Sequence, residues 1–330
     1  MGGGMIGTVR GLEQFWRERT RRAPQAPDPG RWTRERLLLD ALGLGIEQTH
    51  AWVSQHCPEQ ADFEAWIVAT AGPPDPERIA RYHAWLDGAP PPPATAARLA
   101  AIDAAPPVLG DAELARWDRD GYTILRAAIS PDEAAATAAA LWSHLGADPD
   151  DPASWYPPNP HGIMIQLFQH PAMEAARRSP RLHKAFAQLW GTADLWTTTD
   201  RLGFNPPETL SWRFRGPHLH WDVSLATPIP FATQGILYLA DTAEEQGAFT
   251  LVPGFHRRIE AWLAGLPDGA DPRQQALAAE AKPIAAYAGD LIIWRQELPH
   301  GASPNRTDRP RLVQYVNMYS PAEQRQEVWR

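Results

Sequence analysis

Short apolar runs, separated by turn-forming residues, dominate the chain from about Leu195 onward. Gly, Pro, Asn and Asp interrupt these runs at short intervals, which is typical of strands joined by tight turns. Such spacing favours an all-β sandwich or barrel over a parallel sheet with crossover helices. The runs that predict strands are 235–239, 249–252, 290–294 and 312–316.

Just before this region, strand and helix signals alternate. Residues 121–125 (GYTIL) predict a short strand, and an alanine-rich run to His144 follows Ser130 and Pro131. Serine before proline, with Glu133 at the third following position, is a strong amino-terminal capping signal. We therefore predict an α+β domain over residues 109–330, with an all-β core and accompanying helices.

Residues 1–108 predict short helices separated by proline-rich segments. Residues 34–54 carry apolar positions at helical spacing, although two internal glycines leave open whether one helix spans the run. Residues 75–86 predict another helix, with Asp75 as its cap and Pro76 as its first residue. The four consecutive prolines that follow predict a stiff spacer. No chemistry is recognisable in this helical N-terminal region, and packing, a dimer contact and a lid all stay open as its role.

Composition narrows the class of protein. Hydrophobic residues make up 44% of the 330 residues, which suffices for a packed globular fold. The formal net charge of −8 disfavours nucleic acid or an anionic membrane as a partner, because both require a dominant basic surface. Cys57 is the only cysteine, so an intrachain disulfide and a thiolate metal cage are excluded. Since no secretory signal or membrane-spanning apolar run is recognisable, we expect a cytoplasmic protein; its oligomeric state is unknown.

The segment His220-Trp221-Asp222 carries the first chemical signal. Side chains two residues apart on a strand point to the same face, so His220 and Asp222 would project together. His300, shortly after the predicted strand 290–294, is the candidate for a second imidazole. Two imidazoles and one carboxylate on one face of a metal are characteristic of iron(II) oxygenases. Alone, His-x-Asp is a weak signal, because a hydrogen-bonded His–Asp pair in a turn would have the same sequence.

Arg311 strengthens this signal, because it follows His300 at the start of another β-type run. A guanidinium binds a carboxylate through two parallel hydrogen bonds, which suits the remote carboxylate of a dicarboxylate co-substrate. Arg309 would lie on the same face of a strand, but the intervening Pro310 makes Arg311 the better candidate. Four such residues in this order are far less expected by accident than the His-x-Asp pair alone.

Several separated blocks resemble the phytanoyl-CoA dioxygenase superfamily: 120–125 (DGYTIL), 247–256 (GAFTLVPGFH), 289–294 (GDLIIW), 298–301 (LPHG) and 305–311 (NRTDRPR). The resemblance covers roughly residues 110–322. It implies a double-stranded β-helix, the cupin-like jelly-roll, with iron(II) as cofactor and with 2-oxoglutarate and O2 as co-substrates. By this likeness His220, Asp222 and His300 are the iron ligands, and Arg311 binds 2-oxoglutarate.

Two positions depart from the family pattern. The family often has serine two places after the distal histidine and directly after the Pro-Gly turn, where this chain has Ala302 and Phe255. Neither position is an implied ligand, so the departures concern only the outer contacts of the co-substrate.

The resemblance also implies a reaction, in which 2-oxoglutarate is decarboxylated to succinate and CO2 while a substrate C–H bond is oxidised. Related halogenases replace the carboxylate ligand with a small residue, so Asp222 favours hydroxylation, or desaturation or ring closure. We expect a small-molecule substrate, either amino-acid-derived or a secondary metabolite, because no coenzyme A site is recognisable.

Further candidate residues each have an ordinary structural alternative. Gln234, just before the strand predicted at 235–239, could reach 2-oxoglutarate. An ordinary core or solvent-facing position is the alternative for it and for each candidate substrate contact. These substrate candidates are Gln166, Trp196, Arg201 and His218.

Two other functions stay open. A cupin-type metalloenzyme could use the same ligands without 2-oxoglutarate, and an inward-facing Arg311 would argue against it. An inactive jelly-roll binding protein should have lost at least one ligand residue, and none is missing from this sequence.

Overall fold

The computed structural model describes residues 6–20, 28, 30–275, 277–324, 326 and 328–330. Among the described residues from 12 to 104, six helices of nine to twelve residues are found. They are α1 (Leu12–Thr20), α2 (Arg31–Ala41), α3 (Ile46–His56), α4 (Gln60–Ala71), α5 (Pro76–Leu86) and α6 (Pro93–Ala104).

The predicted run 34–54 forms two helices, α2 and α3, with a tight turn between them. Gly43 in this turn adopts φ +71°, a left-handed conformation that costs other residues roughly 1 kcal/mol or more. The helix predicted at 75–86 is confirmed as α5, and the Asp75 carboxylate accepts hydrogen bonds from two backbone NH groups of its first turn. The prolines after it lead directly into α6.

Helices α1 to α5 pack around an apolar core that also contains residues from the second half of the chain, whereas α6 packs through Leu99 and Ile102 against Ala187 and Ala193. Phe15 and Leu37 are buried in this core together with Trp196 and Tyr319. The buried Arg81 guanidinium lies 4.3 Å from the centroid of the Trp196 ring and donates hydrogen bonds to the neighbouring segment. The helices and the second half therefore share a continuous interior, while a domain boundary at residue 108 stays a prediction.

Eleven short strands are found in the described residues of the second half, and all their pairings are antiparallel. They are β1 (Tyr122–Leu125), β2 (Met164–Ile165), β3 (Trp196–Thr197), β4 (Leu202–Asn205), β5 (Thr233–Tyr238), β6 (Phe249–Leu251), β7 (Lys282–Pro283), β8 (Leu291–Arg295), β9 (His300–Ala302), β10 (Arg311–Tyr315) and β11 (Met318–Tyr319). The largest sheet has the order β1-β8-β5-β10-β4-β2, a second has the order β7-β6-β9, and β11 pairs with β3. The four predicted β-type runs correspond to β5, β6, β8 and β10.

Alternation along the strands of the large sheet separates two apolar layers. On β5, Ile236 and Tyr238 pack with residues of the three-stranded sheet, whereas Leu237 packs with helices on the other face. Successive side chains of a strand point to opposite faces, so Arg311 shares the face of Val313 on β10. Val313 belongs to the layer between the two sheets. This register places Arg311 on the inner face of the large sheet.

Helices cover the outer face of the large sheet, where Leu141 and Phe186 are fully buried. The helix predicted after Pro131 is confirmed, with Ser130 and Glu133 forming the expected capping box. Antiparallel sheets with packed helices confirm the α+β class. No helix in the described part of the chain has the length and apolar content needed to cross a membrane. The helices of this half are α7 (Asp111–Asp120), α8 (Pro131–Leu145), α9 (Glu174–Arg178), α10 (Pro180–Trp190) and α11 (Ile259–Ala264).

Candidate metal and co-substrate site

The segment with His220 and Asp222 is not the regular strand that the sequence predicts. Residues 206–232 are assigned to no helix or strand, and prolines, which cannot donate to a sheet, recur through them. His220 instead pairs with His300 alone, through hydrogen bonds of 2.9 Å (His220 NH to His300 carbonyl) and 3.0 Å (the reverse). The strand prediction is therefore wrong, yet the two histidines are held side by side by their main chains.

Gly301 makes this close approach of the two segments possible. A Cβ atom at this position would lie 2.6 Å from the carbonyl oxygen of His218, well inside ordinary contact distance. The atoms that would clash belong to the main-chain carbonyl groups of His218 and Pro217, which cannot rotate away as a side chain could. The glycine after the distal histidine is therefore a packing requirement of the site.

The side chains of His220, Asp222 and His300 converge, with one ligand atom from each within 4.8 Å of the others. Nε2 of His220 lies 3.4 Å from Oδ1 of Asp222, and Nε2 of His300 lies 3.2 Å from Oδ2. His300 is buried, whereas the Asp222 side chain is 54% exposed. Two imidazole nitrogens and one carboxylate, open on one side, form a donor set that suits iron(II).

Main-chain carbonyls fix the orientation of both imidazole rings. Nδ1 of His220 lies 2.7 Å from the His218 carbonyl, and Nδ1 of His300 lies 3.1 Å from the Leu298 carbonyl. Because a carbonyl can only accept, Nδ1 must carry a proton in each ring, and Nε2, directed toward Asp222, is the nitrogen that can gain a second proton. Ligating histidines are commonly oriented by a second hydrogen bond of this kind.

The electrostatics of the group favour a positive charge at its centre. Burial works to raise the pKa of Asp222, but hydrogen bonds from His220 and His300 hold it far below its ordinary value. Burial works against protonation of His220, yet contact with Asp222 raises the pKa of that ring. A proton or a metal cation at this point neutralises the same carboxylate, and metal binding displaces the proton.

Gln234 and Trp294 hold the Asp222 carboxylate from the large sheet. The Gln234 amide donates a 2.6 Å hydrogen bond to Oδ2 of Asp222, and its carbonyl oxygen accepts a 3.0 Å bond from the Trp294 indole. Gln234 also lines the cavity in front of the site. Its observed contact is thus with the carboxylate, and contact with 2-oxoglutarate stays a prediction.

Arg311 is 1% exposed and lines the same cavity as the three converging side chains. Its Nε and Nη2 atoms are buried without a hydrogen-bond partner, and no ion pair to it is found among the described residues. The nearby phenols of Tyr238 and Tyr315 supply no anion, because burial raises the pKa of both, that of Tyr238 to about 12. An unpaired buried guanidinium is costly, so this position is suited to a carboxylate ligand.

One cavity of about 830 Å³ brings these groups together. His220, Asp222, His300, Gln234 and Arg311 all contribute to its walls. Its volume falls in the range of about 300–1,000 Å³ that is usual for small-molecule sites.

The four predicted substrate contacts lie in different places. Arg201 lines the cavity, where its guanidinium pairs with Glu47 and Asp200. The other three are absent from the cavity walls: Gln166 is exposed elsewhere, Trp196 is buried in the helical core, and His218 is exposed beside Phe214. Arg201 therefore stays a candidate for substrate contact, and the structure does not bring Gln166, Trp196 or His218 to the cavity.

Sequence reasoning missed the contribution of the N-terminal helices to this cavity. Trp32, Arg36 and Asp40 of α2 line it, together with Glu47 of α3. The three α2 residues are four apart and therefore share one face of the helix, but a solvated face with one aromatic residue would have the same spacing. The C-terminal segment, which also lines the cavity through Glu323, carries no signal of its own.

Comparisons with known proteins agree with the blocks seen in the sequence. A sequence model of the phytanoyl-CoA dioxygenase family matches residues 117–313. A protein of Dictyostelium discoideum named "Putative phytanoyl-CoA dioxygenase" is 20% identical over 256 residues, which cover 62% of this chain and 73% of that protein.

Two solved structures are similar in part. AviO1 from Streptomyces viridochromogenes Tue57 is 21% identical, with a TM-score of 0.48, and the match covers 66% of this chain and 98% of that one. The epimerase SnoN, in complex with Fe3+, alpha-ketoglutarate and nogalamycin RO, is 20% identical, with a TM-score of 0.44 and coverage of 67% and 84%.

Proposed function

Because the chain belongs to the phytanoyl-CoA dioxygenase family, whose cofactors are iron(II) and 2-oxoglutarate, we propose that it hydroxylates a C–H bond of a small molecule. In this proposal His220, Asp222 and His300 hold the iron, and Arg311 holds the remote carboxylate of 2-oxoglutarate. The two facing antiparallel sheets are those of a double-stranded β-helix, with the metal at one open end.

One observation carries the proposal: a donor set that suits a metal and a buried guanidinium that suits a carboxylate line the same cavity. Three donor atoms within 4.8 Å suit a metal that also needs open positions for other ligands. The partnerless Nε and Nη2 atoms of Arg311, in the same cavity, suit a carboxylate bound through two parallel hydrogen bonds. A cupin that does not use 2-oxoglutarate would have no use for this buried guanidinium.

With iron bound, O2 would be the oxidant: 2-oxoglutarate would supply two of its four electrons on becoming succinate and CO2, and the substrate C–H bond the other two on becoming C–OH. The chain's own residues position and shield the reactants. The main-chain pairing of His220 with His300 fixes two donors, and Gln234 fixes the third, Asp222. The walls of the cavity hold the target carbon near these donors and exclude bulk water.

Asp222 favours hydroxylation within this proposal. It supplies the third donor of the group, at the position where related halogenases leave room for a halide. Hydroxylation, desaturation and ring closure all begin from the same attack on a C–H bond, and hydroxylation needs no further group from the protein.

Binding of the co-substrate to iron tests the proposal directly. Under anaerobic conditions, adding iron(II) and 2-oxoglutarate to the protein should give a visible charge-transfer band, with succinate formed once O2 is admitted. His220→Ala should remove both signals, since one of three metal donors is lost. A wild-type protein that binds iron(II) but gives no band with 2-oxoglutarate would favour the cupin-type alternative, and one that binds neither would favour the binding-protein alternative.

A further inference from the structure

Helix α2 has two faces that serve different parts of the molecule. Leu37, Leu38 and Ala41 are buried in the core of the N-terminal helices. Trp32 and Arg36, about one turn apart on another side of the helix, line the cavity that contains the candidate iron site. The N-terminal helices therefore contribute a wall to the same cavity as the β-sheet residues.

Buried hydrogen bonds hold this wall in place. The Asp40 carboxylate accepts a 3.0 Å hydrogen bond from the backbone NH of Thr199 and a 2.7 Å bond from the Tyr319 hydroxyl. The turn after α2 is held as well, because the Gln169 amide donates a 3.0 Å bond to the Gly43 carbonyl. Asp40, Thr199 and Tyr319 are all buried. These buried contacts fix α2 against the second half of the chain, so the helix is a packed wall of the cavity rather than a movable lid.

An ion pair joins α2 to the C-terminal segment beside the cavity. Nη1 of Arg36 lies 3.1 Å from a carboxylate oxygen of Glu323, and the guanidinium lies 3.4 Å from the centroid of the Tyr319 ring. All three residues line the cavity. A substrate beside this wall therefore meets a charged pair and an aromatic surface, both supplied from outside the iron-binding segments.

The size and lining of the cavity indicate what it can hold. Its volume of about 830 Å³ lies in the upper part of the range of about 300–1,000 Å³ for sites that bury drug-sized ligands, whereas 2-oxoglutarate is a small dicarboxylate. Aromatic rings from four separate segments line it: Trp32, Phe168, Tyr315 and Trp329. Aromatic side chains offer large, rigid surfaces that favour stacking or edge contact with other rings.

We propose that α2 forms the substrate-recognition wall of this cavity and selects a ring-bearing organic molecule of roughly drug size. Trp32 offers the substrate a ring surface, and Arg36 with Glu323 offers it polar groups. The inference rests on the proposed function and deepens it, because it assigns recognition to the N-terminal helices and predicts a substrate larger than a single free amino acid.

A substitution that fills the cavity from α2 tests this inference. Thr33 lines the cavity and is only partly buried, so Thr33→Trp should place an indole in the substrate space. Ala51→Trp is the matched control, because Ala51 is an exposed helical position outside the cavity lining. Trp32→Ala, which removes a ring without adding bulk, is the second variant should Thr33→Trp fail to fold.

The readout is thermal stabilisation by ligands of the protein loaded anaerobically with iron(II) and 2-oxoglutarate. We expect members of a ring-bearing, drug-sized compound set to raise the melting temperature, and the twenty free amino acids to leave it unchanged. Thr33→Trp should weaken binding of those compounds about tenfold or more, equivalent to at least about 1.4 kcal/mol, while Ala51→Trp should not. Affinity for 2-oxoglutarate, followed by the charge-transfer band, should be the same in all variants.

Three results would overturn the inference. They are stabilisation by free amino acids, absence of any binder in the ring-bearing set, and unchanged binding of these compounds in both α2 variants. In each case the charge-transfer band would persist if the proposed function is right. Loss of the band from the wild-type protein would instead contradict the proposed function, so the two failures are distinguishable.

Discussion

Replacing Arg311 by methionine should change stability and co-substrate binding in opposite directions. The side chain is buried, and its Nε and Nη2 atoms have no hydrogen-bond partner. Each buried donor left unpaired costs about 1–3 kcal/mol, whereas methionine fills a similar length without any polar group. Part of this gain is offset because Tyr315, which contacts Arg311, loses a neighbour. We expect Arg311→Met to raise the free energy of unfolding of the ligand-free protein by about 1–3 kcal/mol.

The same substitution should sharply reduce the stabilisation of the protein by 2-oxoglutarate. Removing one partner of a buried, hydrogen-bonded charge pair costs about 2–5 kcal/mol of binding, or roughly 30-fold to several thousandfold in affinity. At 100 times its Kd, a ligand stabilises the wild-type protein by about 2.7 kcal/mol. At the same ligand concentration, that increment should fall to about 0.9 kcal/mol or less in the variant.

Thermal unfolding with and without 2-oxoglutarate, at constant iron(II) and without O2, measures both effects. Arg309→Met is the matched control, because Arg309 is exposed two residues away and should change neither quantity by more than about 0.5 kcal/mol. The reasoning is wrong if Arg311→Met destabilises the ligand-free protein by 2 kcal/mol or more, roughly the size expected for lost core packing. It is equally wrong if the variant keeps the shift that 2-oxoglutarate produces in the wild type.

Three further substitutions test the site and its surroundings. Gly301→Ala should force the His218 carbonyl away and lower iron affinity at least about tenfold by equilibrium dialysis, because the methyl group would lie 2.6 Å from that oxygen. Gln234→Leu should lower iron affinity by about 10–100-fold in the same assay, since Asp222 loses the donor that orients it. The free energy of unfolding of Asp40→Asn, taken relative to that of the wild type, should increase by about 3 kcal/mol as pH rises from about 4 to 7, measured from melting curves at each pH.

The sign of the Asp40 effect follows from its burial. Burial raises the pKa of the carboxyl from 3.8 to about 6 in the folded protein, although Arg36 works to lower it. Between these two values the folded state holds a proton that the unfolded state has released, so the stability of the wild type falls over this range and levels off above about pH 6. Asparagine removes this dependence, so a difference that stays constant with pH would contradict the explanation.

Controls separate the metal-site substitutions from general loss of structure. Gly265→Ala is the control for Gly301→Ala. Gly265 has φ −87°, and an added Cβ there would meet no atom closer than 3.4 Å, so iron affinity should be unchanged. If Gly301→Ala binds iron normally, the close approach of the two histidine segments is not required. If Gln234→Leu binds iron as tightly as the wild type, its hydrogen bond to Asp222 does not orient a metal ligand.

Local rules predicted the elements that depend on few neighbours. Asp75 caps its helix through its own side chain, and the strands of the large sheet follow the alternation of Ile236, Leu237 and Tyr238. The convergence of His220 and Asp222 was also predicted, although for the wrong reason. They belong to an irregular segment whose position is set by pairing with β9, and no local pattern specifies such a partner.

Only tertiary contacts determine which of these side chains face the cavity and which are buried in the core. Trp196 was a candidate for substrate contact, but the N-terminal helices bury it and Arg81 covers its ring. Conversely, the polar face of α2 has the spacing of a solvated helix, and only the packed fold shows that Trp32 and Arg36 face a cavity. A polar face looks the same in sequence whether it meets bulk water or an enclosed ligand site.

If His220 and His300 are iron ligands as proposed, their main-chain pairing sets an order of events for assembly of the iron centre. Two of three donors are already held by a 2.9 Å and a 3.0 Å hydrogen bond between backbones, so their approach costs no conformational entropy when a metal arrives. In zinc fingers, by contrast, metal binding and folding are a single event. A chelator should therefore remove the metal and leave a folded chain that can bind iron again. Iron would then be needed for activity but not for folding.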